Sequence, residues 1–218
     1  MDVIERAQRH AALGDPVRLS IVDDLAVSDR SPQELSARYR LPSNLLAHHL
    51  DVLESASLIE RVISSGDRRR RYVRLRHESL HEPGIGATVP TGPVLFVCTH
   101  NSARSQLAAA LWRREVGSPA VSAGTHPADR VHPGAVVAAA RSGLDLSSAS
   151  PRSIDQIDIE PALVVTVCDR AHEELTPNEH WWHWSTPDPV VAPEPEAFDR
   201  ALNRIRDRIM TLKRETEQ

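Results

Sequence analysis

The chain is predicted to fold as two domains, a mainly α first third and an α/β remainder built on a four-stranded parallel sheet. Three observations carry that division. Up to about residue 58, apolar residues recur at helical spacing and are punctuated by helix-start signals. Beyond residue 93, short apolar runs rich in β-branched residues alternate with helical stretches, the pattern of a sheet covered by helices. Between them lies Pro83-Gly84-Ile85-Gly86-Ala87-Thr88-Val89-Pro90-Thr91-Gly92-Pro93, uncharged and full of structure-breaking residues. The expected boundaries are 1–82 for the first domain, 83–92 for the linker and 93–218 for the second domain.

Val3 to Leu13 reads as a first helix. Asp15-Pro16 then supplies an N-cap and a proline at the first helical position, opening a helix that places Val17, Ile21, Val22 and Leu25 near one face. Ser31-Pro32-Gln33-Glu34 repeats the device with a capping box, and this short helix ends near Tyr39. After the turn at Arg40-Leu41-Pro42-Ser43, a fourth helix runs from about Ser43 to Ser55 with Leu46, Leu50 and Leu53 inward. Two short helices across a tight turn form a helix-turn-helix unit, whose second helix fits a DNA major groove. Leu58 to Ile63 and Arg71 to Leu75 read as strands joined by Ser64-Ser65-Gly66-Asp67-Arg68-Arg69-Arg70, an arginine-rich β-wing. The first domain is thus a winged helix-turn-helix.

The stretches Ala12-Leu13-Gly14-Asp15-Pro16-Val17-Arg18-Leu19-Ser20-Ile21 and Ala47-His48-His49-Leu50-Asp51-Val52-Leu53-Glu54-Ser55-Ala56-Ser57-Leu58-Ile59 resemble the ArsR-type winged-helix repressor family over about residues 3 to 76. The resemblance implies a double-stranded DNA partner. Ser43, Asn44, Ala47 and His48 are the expected groove-facing residues. Arg68, Arg69, Arg70 and Arg71 are expected on phosphates, contacts that position a protein without reading sequence. His48 and His49 are adjacent on a helix and point in different directions, so they are not expected to form a metal pair. The domain holds no cysteine, which excludes a thiol metalloid sensor within it. After Leu75 the last helix of the domain is short or absent, so a homodimer would form through the first helix or the other domain.

In the second domain Val94-Leu95-Phe96-Val97-Cys98 is an apolar strand ending on a thiol. Thr99-His100-Asn101-Ser102-Ala103-Arg104-Ser105 is a polar loop, and Ser102 to Val116 is helical in pattern. A loop wrapped at a helix start aims backbone N–H groups into one concavity that suits a tetrahedral oxyanion. Residues 99 to 105 are its expected lining, with Arg104 adding a two-pronged grip. Cys98 would lie at the floor, where a positive field favours the thiolate, aimed at the central atom of a bound phosphate or arsenate. Three more strands follow at Ala120 to Gly124, Pro161 to Val167 and Trp181 to Ser185. Helices are expected over Val131 to Ser142 and Pro195 to Lys213, with a short turn or helix at Ile154 to Ile157.

Val94 to Trp112, Ser122-Ala123-Gly124-Thr125, Val131-His132-Pro133, Ala162 to Cys168 and Trp184 to Pro189 together resemble the low-molecular-weight protein tyrosine phosphatase superfamily, including its thioredoxin-coupled arsenate reductases. The resemblance covers roughly residues 93 to 218. It implies that Asp188, before Pro189, is the acid that protonates the leaving oxygen, a role that suits a carboxyl held over an anion cradle. It also implies that Cys168 is a resolving thiol; a buried apolar cysteine at a strand end is the alternative. The thioredoxin-coupled members carry a further cysteine beyond it, whereas His172-Glu173-Glu174-Leu175-Thr176-Pro177 has none. Either a Cys98–Cys168 disulfide is reduced directly or a small thiol takes over the arsenic. No bound cofactor or metal is expected, only an external reductant: thioredoxin, or glutaredoxin or mycoredoxin with its small thiol. His100 stands where the family usually has glycine. No tyrosine follows Pro189, and Trp181, Trp182 and Trp184 read as strand packing, which favours a small oxyanion over phosphotyrosine. His180 and His183 are expected to be structural.

Composition bounds these readings. Apolar residues make up 40% of the chain, and no apolar run approaches the roughly 18 residues of a membrane span. The N-terminus lacks a signal-peptide pattern, and the cysteines number two, so a reducing, cytoplasmic setting is expected. The first 82 residues carry as many arginines as acids, and the net charge of -4 arises beyond residue 93. Three functions fit: a DNA-binding regulator fused to an arsenate reductase, an oxyanion-sensing regulator with little turnover, and a fused phosphatase acting on phosphotyrosine or small phosphoesters.

Overall fold

The computed structural model describes residues 2–76, 91–175, 177, 178, 180–192, 194 and 196–216. The expected linker lies outside these apart from Thr91 and Gly92, as does the stretch after Arg76. Among the described residues the chain forms two compact units, the first of residues 2–64 and 68–76 and the second of residues 65–67 and those from 91 onward.

The first unit is helical with a two-stranded antiparallel ribbon. Its helices are α1 (Val3–Leu13), α2 (Pro16–Val27), α3 (Pro32–Tyr39) and α4 (Ser43–Ser55), followed by β1 (Ile59–Ile63) and β2 (Arg71–Leu75). The sequence signals operate as written. Asp15 Oδ1 accepts from the Arg18 N–H at 3.0 Å and Pro16 occupies the first helical turn. Ser31 and Glu34 close their capping box. Arg40, at φ 52°, takes the left-handed conformation that stops α3. The ribbon pairs Ile59 with Leu75 through Ile63 with Arg71. Arg30 adds a third edge by exchanging both backbone hydrogen bonds with Val73, at 3.1 and 2.7 Å.

Ile21, Val22, Leu25, Leu35, Leu46, Leu50, Leu53, Leu58, Ile59, Val73 and Leu75 form one apolar cluster. Beside it lies a buried Asp24–Arg30 pair, joined by exposed Arg38, that the apolar pattern of α2 does not announce. The Asp24 carboxylate meets Arg30 at 3.2 Å and Arg38 at 3.1 Å.

The second unit contains β3 (Val94–Cys98), α5 (Arg104–Glu115), β4 (Ala120–Gly124), α6 (Pro133–Arg141), a 3₁₀ turn at Ile154–Gln156, β5 (Leu163–Thr166), α7 (Asp169–Leu175), β6 (Trp182–His183) and α8 (Ala197–Thr216). The four strands are parallel in the order β4-β3-β5-β6. The chain leaves β3 toward one edge and later returns to fill the other, so the carboxyl end of β3 is the switch point where such sheets place ligands. All five residues of β3 are buried, as a strand covered on both faces requires. Phe96 packs between Trp112 and Trp184, with ring centroids 5.6 and 5.7 Å away. Gly134 leaves room on α6 for the Phe198 ring of α8, which a Cβ would meet at 2.5 Å.

Several elements differ from expectation. The helix after the loop starts at Arg104 rather than Ser102, because Ser102 and Ala103 complete the loop. β6 is two residues rather than five. α6 begins at Pro133, where the His132 ring accepts from the Gly134 N–H and caps the helix. α7 is a helix where the sequence reading assigned none.

Tyr39 and Tyr72 both belong to the first unit, and all four tryptophans to the second. Asp24→Ala would strand the buried Arg30 guanidinium, at a cost of about 3 kcal/mol. Urea unfolding followed by tyrosine absorbance should show the loss, with the tryptophan-monitored transition unmoved.

Candidate active site

β3 delivers Cys98 to the switch point, and the loop that follows turns back under its sulfur. The turn depends on Asn101, which is fully buried and has φ 48°. Asparagine tolerates this left-handed conformation better than most side chains. The turn points the Asn101 backbone N–H at Cys98 Sγ, 3.2 Å away. The Asn101 side chain then fixes the loop: Nδ2 donates to Ser105 Oγ at 2.8 Å, and Oδ1 accepts from Gln106 Nε2 at 3.1 Å and from the Arg152 N–H at 3.0 Å. Ser105 Oγ, which accepts from Asn101, also lies within hydrogen-bond distance of the Cys98 sulfur, 3.0 Å away. Gln106 also donates to the Asn101 and Ser150 carbonyls. Gly124 gives the loop its space, since a Cβ there would lie 2.7 Å from the Thr99 carbonyl oxygen.

Arg104 begins α5 and is 6% exposed. Its guanidinium donates to the Thr186 carbonyl and to Asp188 Oδ2, each at 2.9 Å. Burial works against its charge, but Cys168, Cys98 and Asp188 around it raise its pKa on balance. Asp188 also accepts from the Val190 N–H at 3.0 Å. Cys168 lies on the other flank of the loop, where Thr99 Oγ1 is 3.4 Å from its sulfur and the Ala171 N–H donates at 3.4 Å. Burial pushes this thiol's pKa up, the neighbouring Cys98 adds to the rise, and Arg104 opposes it. Both cysteines are free thiols.

The structure therefore brings Cys98, Arg104, Asp188 and Cys168 around one loop. Among residues 99–105, Thr99 turns its hydroxyl to Cys168, and His100 is exposed with its ring on the His126 carbonyl. Asn101 and Ser105 build the loop from within, while Ser102 and Ala103 lead into α5. Gln106 was missed by the sequence reading, although a polar residue at the start of an otherwise buried helix is a signal. Asp169, directly after Cys168, was missed too. It is 2% exposed, and its Oδ1 accepts from His183 Nε2 at 3.0 Å. Burial raises the Asp169 pKa, but the hydrogen bond and charge of His183, together with further hydrogen bonds from a backbone N–H and from Ser185, outweigh that and bring it down to about 2.

In the first unit Ser43, Asn44, Ala47 and His48 are exposed on α4, away from buried Leu46, Leu50 and Leu53. His48 also borders a shallow cleft against α1, lined by Gln8, Ala11, Asp51 and Val52 among others. Arg68, Arg69 and Arg70 in the β1–β2 turn and Arg71 at the start of β2 are all exposed.

Residues 93–218 match the low molecular weight phosphotyrosine protein phosphatase family, and the chain belongs to that family. "Arsenate reductase 2" of Staphylococcus haemolyticus is 34% identical over 123 residues, covering 54% of this chain and 90% of the relative. The arsenate reductase of Halalkalibacterium halodurans is 37% identical over 123 residues, covering 53% of this chain and 88% of the relative. The low molecular weight protein tyrosine phosphatase of T. tengcongensis shares the fold, with a TM-score of 0.51, 22% identity, and coverage of 57% of this chain and 99% of that one. The chain is an enzyme of the arsenate reductase or phosphatase type. No helix among the described residues is long and apolar enough to cross a membrane.

Gly124→Ala should push the loop off its turn and lower kcat/KM by about tenfold or more, measurable with whichever oxyanion substrate the enzyme turns over. Asp169, depressed from 3.8 to about 2, contributes stability that is fully present above pH 4 and lost as pH falls through 2. The contribution is about 2 kcal/mol. Asp169→Asn should therefore be less stable than the parent at pH 6, and the gap should close between pH 4 and 2 in urea unfolding followed by tryptophan fluorescence.

Proposed function

We propose that the chain joins an ArsR-type winged-helix DNA-binding domain, residues 1–82, to an arsenate reductase domain, residues 93–218. The observation that carries the reductase reading is the second thiol: Cys168 touches Thr99, the residue next to Cys98. Arsenate is held by the loop N–H groups and Arg104. The Cys98 thiolate attacks arsenic, and Asp188, already beside Arg104, protonates the oxygen that leaves as water. The Cys168 thiolate then attacks Cys98 Sγ. The sulfur–arsenic bond breaks with its electron pair staying on arsenic, so As(V) leaves as arsenite and two thiols become one disulfide. An external dithiol, thioredoxin or a glutaredoxin-like protein with its small thiol, returns the two electrons in the cytoplasm.

The exposed side of α4 and the wing arginines support the DNA partner, with Ser43, Asn44, Ala47 and His48 toward base edges and Arg68 to Arg71 on phosphates. The lack of a further cysteine over 172–177 favours a second reading, an oxyanion-sensing regulator with little turnover. A phosphatase, which needs no second thiol, is the third.

Purified protein with arsenate and a reductant should release arsenite, and Cys98→Ser should abolish the release. Cys168→Ser should lose arsenite release while keeping hydrolysis of para-nitrophenyl phosphate. Hydrolysis without arsenite release from the parent protein would make it a phosphatase, and neither activity would leave the sensor. Arg68→Ala should weaken DNA binding evenly across sequences and reduce the salt slope of log K by about one, read by fluorescence anisotropy over a salt series.

A further inference from the structure

Cys168 is bracketed by a buried polar cluster that the reaction described so far does not use. Asp169, directly after it, accepts from His183 Nε2 at 3.0 Å. Thr166, two residues before it, has its Oγ1 3.0 Å and its carbonyl oxygen 3.2 Å from Nδ1 of the same imidazole. His172 of α7 stacks on His183 with centroids 4.1 Å apart, and its Nδ1 lies 2.9 Å from Thr166 Oγ1. His183 and Thr166 are fully buried. The other residues of this strand, Leu163, Val164 and Val165, and Val167 just after it are apolar and buried. The polar groups are thus gathered where the thiol sits.

We propose that His183 is a positioning residue for the second thiol: its imidazole spans the Val167-Cys168 dipeptide, gripping Thr166 on one side and Asp169 on the other, and holds Cys168 in line for its attack on Cys98. The inference rests on the reading of Cys168 as the resolving thiol. The hydrogen bonds of His183 to Thr166 and Asp169 fix geometry, because each is made in a buried site where losing it costs more than at the surface. Geometry is what the sulfur-to-sulfur step needs. The product bond requires an S–S distance of about 2.05 Å and a dihedral near 90°, so the backbone that carries Cys168 must be set before the attack. Cys98 has its own supports in Asn101 and Ser105, and Arg104 has Thr186 and Asp188. The two thiols share one contact, since Thr99 of the loop after Cys98 touches Cys168, and each otherwise has its own supports.

The test is a single turnover. Reduced protein is mixed with excess arsenate without external reductant, and arsenite formation and thiol loss are followed together; each turnover consumes the Cys98 and Cys168 thiols and yields one arsenite. Inorganic phosphate affinity, by calorimetry, reports the cradle independently. His183→Leu should keep phosphate affinity within about twofold while slowing arsenite formation roughly ten- to a hundredfold. His183→Gln, which restores a donor toward Asp169, should recover part of the rate, and it carries the test if the leucine variant does not fold. Parallel loss of phosphate affinity and rate would show that the cluster merely supports the whole fold, and an unchanged rate would show that His183 plays no part; either overturns the proposal. Cys168→Ser separates the premise from the inference. If it forms arsenite at the parent rate, the resolving role itself fails. If it does not and the His183 variants do, only the positioning role fails.

Discussion

The loop that follows Cys98 depends on the left-handed turn at buried Asn101, which aims a backbone N–H at the sulfur. The turn gives Cys98 its backbone donor. It also swings the Asn101 amide into the protein, where Ser105, Gln106 and the Arg152 N–H complete its hydrogen bonds. Elements far apart in sequence depend on it: the start of α5, the carboxyl end of β4 at Gly124 and the segment around Arg152. A buried amide costs little when every bond is made and much when one is missing, so the loop has one well-defined shape. The switch point of the parallel sheet supplies the place, and the turn supplies the precision.

The thiol pair follows the same logic with different chemistry. Cys98 sits where donors gather. Cys168 sits where burial opposes ionisation, and it is kept within reach by its contact with Thr99 and by the His183 cluster. In the proposed reaction one thiol attacks the incoming anion and the other attacks its neighbour.

The loop was legible in the sequence because its chemistry is local. A strand ending on Cys98, a polar turn and an arginine at the head of a helix lie within a dozen residues, and capping signals at Asp15 and Ser31 act over three. The parallel sheet was legible from Val-rich runs, though β6 was overread because Trp181 to Ser185 pack as a strand would without pairing as one beyond two residues. α7 was missed since Asp169 to Leu175 is polar and short, and its order comes from tertiary bonds such as Asp169 to His183. Those partners are far enough apart in the chain that no periodicity connects them. Asp24 was hidden for the same reason, because its arginines belong to other elements of the first unit. His183 read as structural from sequence, and only its two-sided grip on Thr166 and Asp169 gives that word a content.

The contact between Arg104 and Asp188 has a consequence for selectivity. The guanidinium already holds a carboxylate of its own chain, tethered at an effective concentration that free carboxylates in solution do not reach. An external carboxylate offers Arg104 nothing that Asp188 does not offer, and it competes at a disadvantage. A tetrahedral dianion differs, because it has oxygens left over for the loop N–H groups after it has satisfied the arginine. In the proposed oxyanion site the internal pair is thus a reference ligand that an incoming anion must displace, so the number of oxygens the anion offers the loop matters beside its charge.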